Sequence, residues 1–199
     1  MNLSNFLNDR GFPSDVIEGY SQQVQPQVND LIQLTKSSNI KNILEIGFNA
    51  GHSAEVFLHN NKHIKLTSFD LGSHAYVHHA KEYIDAAFPN RHDLVLGDST
   101  VTLPEFIKHK TGTTFDVIFV DGGHDYEVAK ADLENCFHLS HKHTIVILDD
   151  TMYTQGWDQL YTIGPTKTWV EHLQEKKIFE LGRRDYSIGR GMSWGFYNK

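Results

Sequence analysis

The chain is expected to fold as an α/β protein, a mostly parallel sheet with helices on both faces. Three observations predict this. Segments such as Phe115-Asp-Val-Ile-Phe-Val120 and Thr144-Ile-Val-Ile-Leu148 are apolar without regular polar alternation, as strands buried on both sides must be. From Asn42 onward such segments alternate with helix-like stretches, the order that lays successive strands parallel and helices over the sheet. The C-terminal end instead offers two long strand-like segments joined by a glycine-bearing turn, an antiparallel hairpin.

In chain order, Val28, Leu31, Ile32 and Leu34 give an apolar stripe to a helix over about Ser14 to Ser38, within an N-terminal helical segment 1–40. Asn42 to Gly47 is a short buried strand, followed by a helix over Ser53 to His59. Ile64 to Phe69 is the second strand, ending at Asp70, and Tyr76 to Phe88 the next helix. Asp93 to Leu96 is strand and Leu103 to His109 helix. Phe115 to Val120 is the clearest strand, with a helix over Tyr126 to Leu139, and Thr144 to Leu148 is the fifth strand. Residues 151–164 are polar and aromatic and read as a loop on the substrate side. Pro165 then starts a helix through Trp169 and Leu173, because its missing N–H breaks no bond in a first turn. Ile178 to Ser187 and Gly191 to Tyr197 are the hairpin strands around Ile188-Gly-Arg-Gly191. No repeat or low-complexity segment interrupts the chain, and its 199 residues suit one domain, 1–199.

Composition narrows the function. A net charge of −7 argues against nucleic acid as a partner, since phosphate binding needs a basic surface. Mean hydropathy is −0.42 and no run of about 18 apolar residues occurs, so no membrane span is expected. The N-terminus lacks the basic start and apolar run of a signal peptide. One cysteine, Cys136, excludes an internal disulfide and fits a reducing, cytoplasmic setting. Self-association stays open.

Where the first strand gives way to the first helix the sequence reads Glu45-Ile-Gly47-Phe-Asn49-Ala-Gly51-His-Ser53. Glycines permit a sharp turn and let a ligand approach the backbone, and the helix start offers unpaired N–H groups. In open α/β sheets ligands sit at this carboxyl edge. The glycines lie four apart, unlike the G-x-G-x-x-G of dinucleotide sites, which argues against a nicotinamide cofactor. Glu45 would repel a pyrophosphate but suits the cationic methionine end of S-adenosylmethionine. Asp70, with Leu71 after it, ends the second strand 25 positions later, where a carboxylate can accept both ribose hydroxyls. Gly97-Asp98-Ser99 closes the third strand and either holds the adenine edge or simply makes a turn.

In order and spacing, Leu44-Glu-Ile-Gly-Phe-Asn-Ala-Gly-His-Ser53, Asp70, Gly97-Asp-Ser99 and Phe115-Asp-Val-Ile-Phe-Val-Asp121 resemble the class I S-adenosylmethionine-dependent methyltransferases. Among these the chain looks like the small O-methyltransferases related to catechol O-methyltransferase, and most like the sugar-modifying branch typified by macrocin O-methyltransferase. The resemblance covers about Asn42 to Thr151. It implies a Rossmann-like sheet of seven strands in the order 3-2-1-4-5-7-6, the seventh antiparallel. The glycine usual at the middle of the loop is replaced by Asn49.

Asp121 ends the fourth strand, and Asp149 and Asp150 end the fifth. Adjacent strand ends bring three carboxylates together, and hard oxygen ligands suit Mg²⁺ or Mn²⁺. Consecutive strand residues point to opposite faces, so both aspartates can serve only if the strand stops at about Asp149. The resemblance implies the same three metal ligands, with Asp150 in place of the asparagine of the catechol enzymes. Asp121-Gly-Gly-His124 puts an imidazole where those enzymes carry their catalytic lysine, so His124 is the expected general base and Asp121 its rival.

Tyr153, Trp157 and Tyr161, with Trp169 beyond, could stack on an acceptor, although Trp169 and Tyr161 could equally be core. His74, His78 and His79 include a spacing of four that can make a metal pair, but read rather as surface or pocket-wall histidines. Arg183, Arg184 and Arg190 could meet an anionic substrate group such as a nucleotide-sugar phosphate, but read rather as solvated hairpin charges. The expected activity is metal-assisted methylation of a sugar or glycan hydroxyl. Alternatives are methylation of a phenolic or catechol-like molecule, a hydroxylase-like relative of the fold, or a non-catalytic binding module.

Overall fold

The structure, a computed structural model, describes residues 2–19 and 21–199. The strands are β1 (Asn42–Ile46), β2 (Lys65–Asp70), β3 (His92–Leu96), β4 (Phe115–Val120), β5 (Ser140–Asp149), β6 (Ile178–Ser187) and β7 (Arg190–Tyr197). The helices are α1 (Leu3–Asn8), α2 (Gln25–Thr35), α3 (His52–Asn60), α4 (Ala75–Ala87), α5 (Ser99–His109), α6 (Tyr126–His138) and α7 (Leu160–Gln174), with a 3₁₀ turn at Ser21–Gln23.

Alternation along the strands divides the apolar residues between two cores. Ile43, Val117, Phe119 and Ile147 pack with residues of α1, α2, α3 and α4 on one face. Leu44, Ile46, Ile118, Val120 and Leu148 pack with α5, α6 and α7 on the other. A strand whose odd and even residues both need burial reads as continuously apolar, which is why β1, β4 and β5 stood out in the sequence. The strands form one sheet in the order β3-β2-β1-β4-β5-β7-β6. β1 to β5 run parallel, and β7 inserts antiparallel between β5 and β6. Both the order and the antiparallel seventh strand match expectation.

Several boundaries differ: α5 starts at Ser99 rather than Leu103, and β5 at Ser140 rather than Thr144. The helix expected over Ser14 to Ser38 is cut to Gln25–Thr35, preceded by the 3₁₀ turn. Pro26 explains this: deeper inside a longer helix it would remove a hydrogen bond and clash with the carbonyl four residues earlier, but the first turn accepts it. The short α1, with Leu3 and Leu7 fully buried, carries too few residues to announce a period. The loop expected over 151–164 stops at Gln159, because α7 begins at Leu160 and places Pro165 inside the helix rather than at its start. A reciprocal cap sets that start: the Gln159 side chain meets the Thr162 N–H, and Thr162 Oγ1 accepts from the Gln159 N–H at 3.0 Å. Glutamine is an uncommon cap, so the sequence did not signal it. Among the described residues no helix is long and apolar enough to cross a membrane.

Candidate functional site

The tips of β1, β2 and β4 meet at the carboxyl edge of the sheet. β1 passes into α3 through Gly47-Phe-Asn-Ala-Gly51, and Gly47 takes φ +93. A Cβ on Gly47 would lie 1.8 Å from the Asp121 carbonyl oxygen, so the β1 loop and the β4 tip approach this closely only because residue 47 has no side chain. Asn49 has φ +49, a left-handed conformation that asparagine tolerates better than most residues. The loop therefore keeps its path without the expected middle glycine.

Asp70 is held against this loop. The Asn49 N–H donates to its Oδ2 and the Gly72 N–H to its Oδ1, both at 2.7 Å. Each oxygen keeps a further lone pair for a hydroxyl donor. Beside the carboxylate Leu71 is 65 % exposed, and Leu96 from the β3 tip lies over Gly72, so an apolar ledge adjoins the acid. Asp98 caps α5, its Oδ1 accepting from the Thr100 N–H at 2.9 Å, and Ser99 is the first helical residue.

Glu45 sits deeper than an open socket would need. It is fully buried, and Ser53 Oγ and Ser68 Oγ donate to its two oxygens, each at 2.5 Å. Burial pushes its pKa up to about 7; the two hydroxyls pull it back and the Asp70 charge adds to the rise. Glu45 and Ser53 thus underlie the loop, and their route to a ligand is through its electrostatics. Glu45 also raises Asp121, so the three acids share one neighbourhood.

On the β4–β5 side the strand stops at Asp149, and Asp150 turns to φ +55. That turn breaks the alternation, so both aspartates border a small cavity with Asp121 and His124. Burial, followed by the charges of Asp149 and Asp150, holds Asp121 well above the usual carboxylate range, while the Arg190 guanidinium pulls it down. Burial and Asp150 likewise push Asp149 up to about 7. His124 Nε2 meets Asp150 Oδ2 at 2.9 Å while its side chain stays 48 % exposed. That bond raises its pKa above the ordinary histidine value, against burial. With Nε2–H donated to Asp150, Nδ1 carries the lone pair that could take a proton. Among the described residues no three His, Cys, Asp or Glu side chains already surround a common point as ligands.

Two neighbours of this cluster had escaped the sequence. Gln27 on α2, 1 % exposed, donates through Nε2 to both Asp149 oxygens at 2.8 and 2.7 Å. A glutamine in a helix 122 residues away carries no signal of that contact. Arg190, expected as a solvated hairpin charge, instead acts on Asp121 and Asp149. Arg184 pairs with Asp30 of α2 at 3.0 Å and Arg183 lies over the Tyr153 ring. Trp169 is core, its Nε1–H donating to Glu180 at 2.8 Å, whereas the Tyr161 ring lies 5.4 Å from that of His124. His74 and His79 pair with Glu18 and Glu82.

A family profile described as a methyltransferase domain matches residues 44–151. No curated protein matches the chain. Among solved structures, an O-methyltransferase from Bacillus cereus in complex with S-adenosylhomocysteine is similar at 20% identity and a TM-score of 0.76, covering 98% of this chain and 90% of that one. The O-methyltransferase TomG from Streptomyces achromogenes, involved in tomaymycin synthesis and bound to S-adenosylmethionine, is 14% identical with a TM-score of 0.73, over 99% and 88%. CalS11, a TDP-rhamnose 3'-O-methyltransferase of calicheamicin biosynthesis, is 19% identical with a TM-score of 0.67, over 99% and 92%. At these identities the likeness is one of fold.

Proposed function

The chain belongs to the methyltransferase-domain family matched over residues 44–151, and from that premise we propose that it is an S-adenosylmethionine-dependent O-methyltransferase. In this reading the acceptor is a hydroxyl of a sugar or glycan, and a divalent cation assists. One observation carries it: Asp70, fixed by the Asn49 N–H against the glycine-bearing loop, with Glu45 and Asp121 in electrostatic reach. An acidic socket at that position favours a positively charged nucleoside over a pyrophosphate.

Asp70 would accept the ribose hydroxyls, Leu71 would support the base, and Asp98 or Ser99 would meet its edge. Gly47, Asn49 and Gly51 let the backbone approach, while Ser53 acts through Glu45. The acceptor oxygen attacks the methyl carbon, the carbon–sulfur bond breaks with its electron pair going to sulfur, and S-adenosylhomocysteine leaves. The hydroxyl proton passes to His124 Nδ1, and Asp150 stabilises the imidazolium. His124 suits the role better than Asp121 because it is half exposed, whereas Asp121 is enclosed by like charges. In-line alignment supplies much of the rate, since the sulfonium is already activated.

Asp121, Asp149 and Asp150 fit a divalent cation: three hard-oxygen donors whose mutual repulsion raises Asp121 would be relieved by it. Bound there, Mg²⁺ or Mn²⁺ would lower the pKa of the acceptor hydroxyl. Asp150 would then serve both cation and His124. A second reading, a phenolic acceptor, is favoured by the apolar residues beside Tyr161: Leu160 is 89 % exposed, and Ile163 is exposed as well.

The test incubates the protein with S-adenosylmethionine and separate panels of sugars, nucleotide sugars and phenols, with Mg²⁺, Mn²⁺ or EDTA, reading S-adenosylhomocysteine and product mass. Methylated sugar, lost in EDTA, is the expected result. Turnover unaffected by EDTA rules out the cation, and methylated phenols alone replace the acceptor class.

A further inference from the structure

A buried hydrogen-bond chain crosses three strands beneath the cofactor loop. Glu45 on β1 and Ser68 on β2 are register partners, and His92 on β3 lies two residues before Leu94, the partner of Ser68. Ser68 Oγ donates to Glu45 Oε2 at 2.5 Å and stands 3.0 Å from His92 Nε2. Since the Ser68 hydroxyl hydrogen points to Glu45, Ser68 Oγ accepts a hydrogen bond from His92 Nε2–H, which fixes the tautomer. Burial pushes His92 down to about 4, so it is a neutral donor. All three residues are buried, and the His92 ring also stacks on Phe48 of the loop, centroids 4.9 Å apart.

The charged groups facing Glu45 are themselves acids: Asp70 at the tip of β2 and Asp121 beyond β4. Arg190 offsets this charge at Asp121, but the charge acting on Glu45 is that of Asp70, so a hydrogen-bond chain that favours the Glu45 carboxylate adds negative charge beneath the loop, where a sulfonium answers it. The reaction product, a neutral thioether, does not. We propose that His92, acting through Ser68 on Glu45, is a positioning residue that makes the socket prefer cationic S-adenosylmethionine over neutral S-adenosylhomocysteine. This rests on the cofactor proposed above and adds a reason for product to leave. Linked donors polarise one another in a low-dielectric interior, so losing the far donor is felt at the carboxylate.

Calorimetric titration of wild type, His92→Phe and His92→Gln with each of the two nucleosides tests this. Phenylalanine keeps a ring against Phe48 and loses the donor; glutamine restores an N–H near the Nε2 position and loses the ring. His92→Phe should bind S-adenosylmethionine about tenfold more weakly and S-adenosylhomocysteine nearly as wild type, while His92→Gln keeps a wild-type ratio of the two affinities. Equal loss for both nucleosides, an unchanged ratio in His92→Phe, or a ratio lost equally in both variants overturns the inference while leaving the cofactor reading intact. Wild type binding neither nucleoside overturns both. Should His92→Phe not fold, Ser68→Ala takes its place, with the same loss of ratio expected.

Discussion

Asp132 on α6 is fully buried, and neither of its carboxylate oxygens has a hydrogen-bond partner among the described residues. Burial pushes its pKa up to about 6, and the Ser99 hydroxyl, close by but outside hydrogen-bond geometry, opposes this only in part. The folded protein thus holds the Asp132 proton to higher pH than the unfolded chain, whose carboxyl titrates near 3.8. Its contribution to stability is fully present below about pH 4 and is lost as pH rises through about 6, a difference of about 3 kcal/mol. Asp132→Asn, which cannot ionise, should melt higher than wild type at pH 8 and close to it at pH 4. A melting difference that stays constant across that range would show that Asp132 carries no such penalty. At this scale the sequence was uneven. Asp70, Asp121 and His124 were legible because strand tips and the turn after β4 fix where such residues lie. The partners of these residues were not: nothing in the spacing ties Asp150 to His124, Gln27 to Asp149, or His92 to Ser68, because each contact depends on how separate elements pack.

Elements buried on both sides declared themselves through composition, and β4 has the expected boundaries; so does β6, a mostly exposed edge strand read instead from the turn that follows it. Elements whose limits depend on capping or on proline did not, as α2 and α7 show. α7 also shows how one element sets the geometry of another. A Cβ on Gly164 would lie 2.1 Å from the His124 carbonyl oxygen and 2.8 Å from the Tyr126 nitrogen, so the helix rests directly on the turn that carries the candidate base. Gly164→Ala must push the two apart. A loss of about 1–3 kcal/mol in thermal or denaturant unfolding is expected, with a fall in turnover larger than the change in cofactor affinity. Wild-type turnover in a fully folded Gly164→Ala variant would mean that the His124 turn need not be held. α2 works on the opposite side of the acid cluster: Gln27 reaches Asp149 while Asp30 accepts from the Tyr186 hydroxyl at 2.8 Å, tying the helix to β6.

Across the whole molecule, the sheet brings to one edge acids that lie far apart in the chain. Parallel strands in the order β3-β2-β1-β4-β5 place the ends of β1, β2 and β4 side by side, and the close passage at Gly47 joins two of them. Strand existence was readable from hydrophobic pattern, but strand order came only with the family resemblance, since pattern does not say which strand neighbours which. The central claim is that this edge forms a socket for a cationic nucleoside, and calorimetric titration of wild type and Asp70→Ala with S-adenosylmethionine and with NADH tests it most directly. Wild type should bind one S-adenosylmethionine in the micromolar range with no heat from NADH, and Asp70→Ala should bind at least about tenfold more weakly. Binding of NADH without S-adenosylmethionine, or full affinity in Asp70→Ala, would contradict the account.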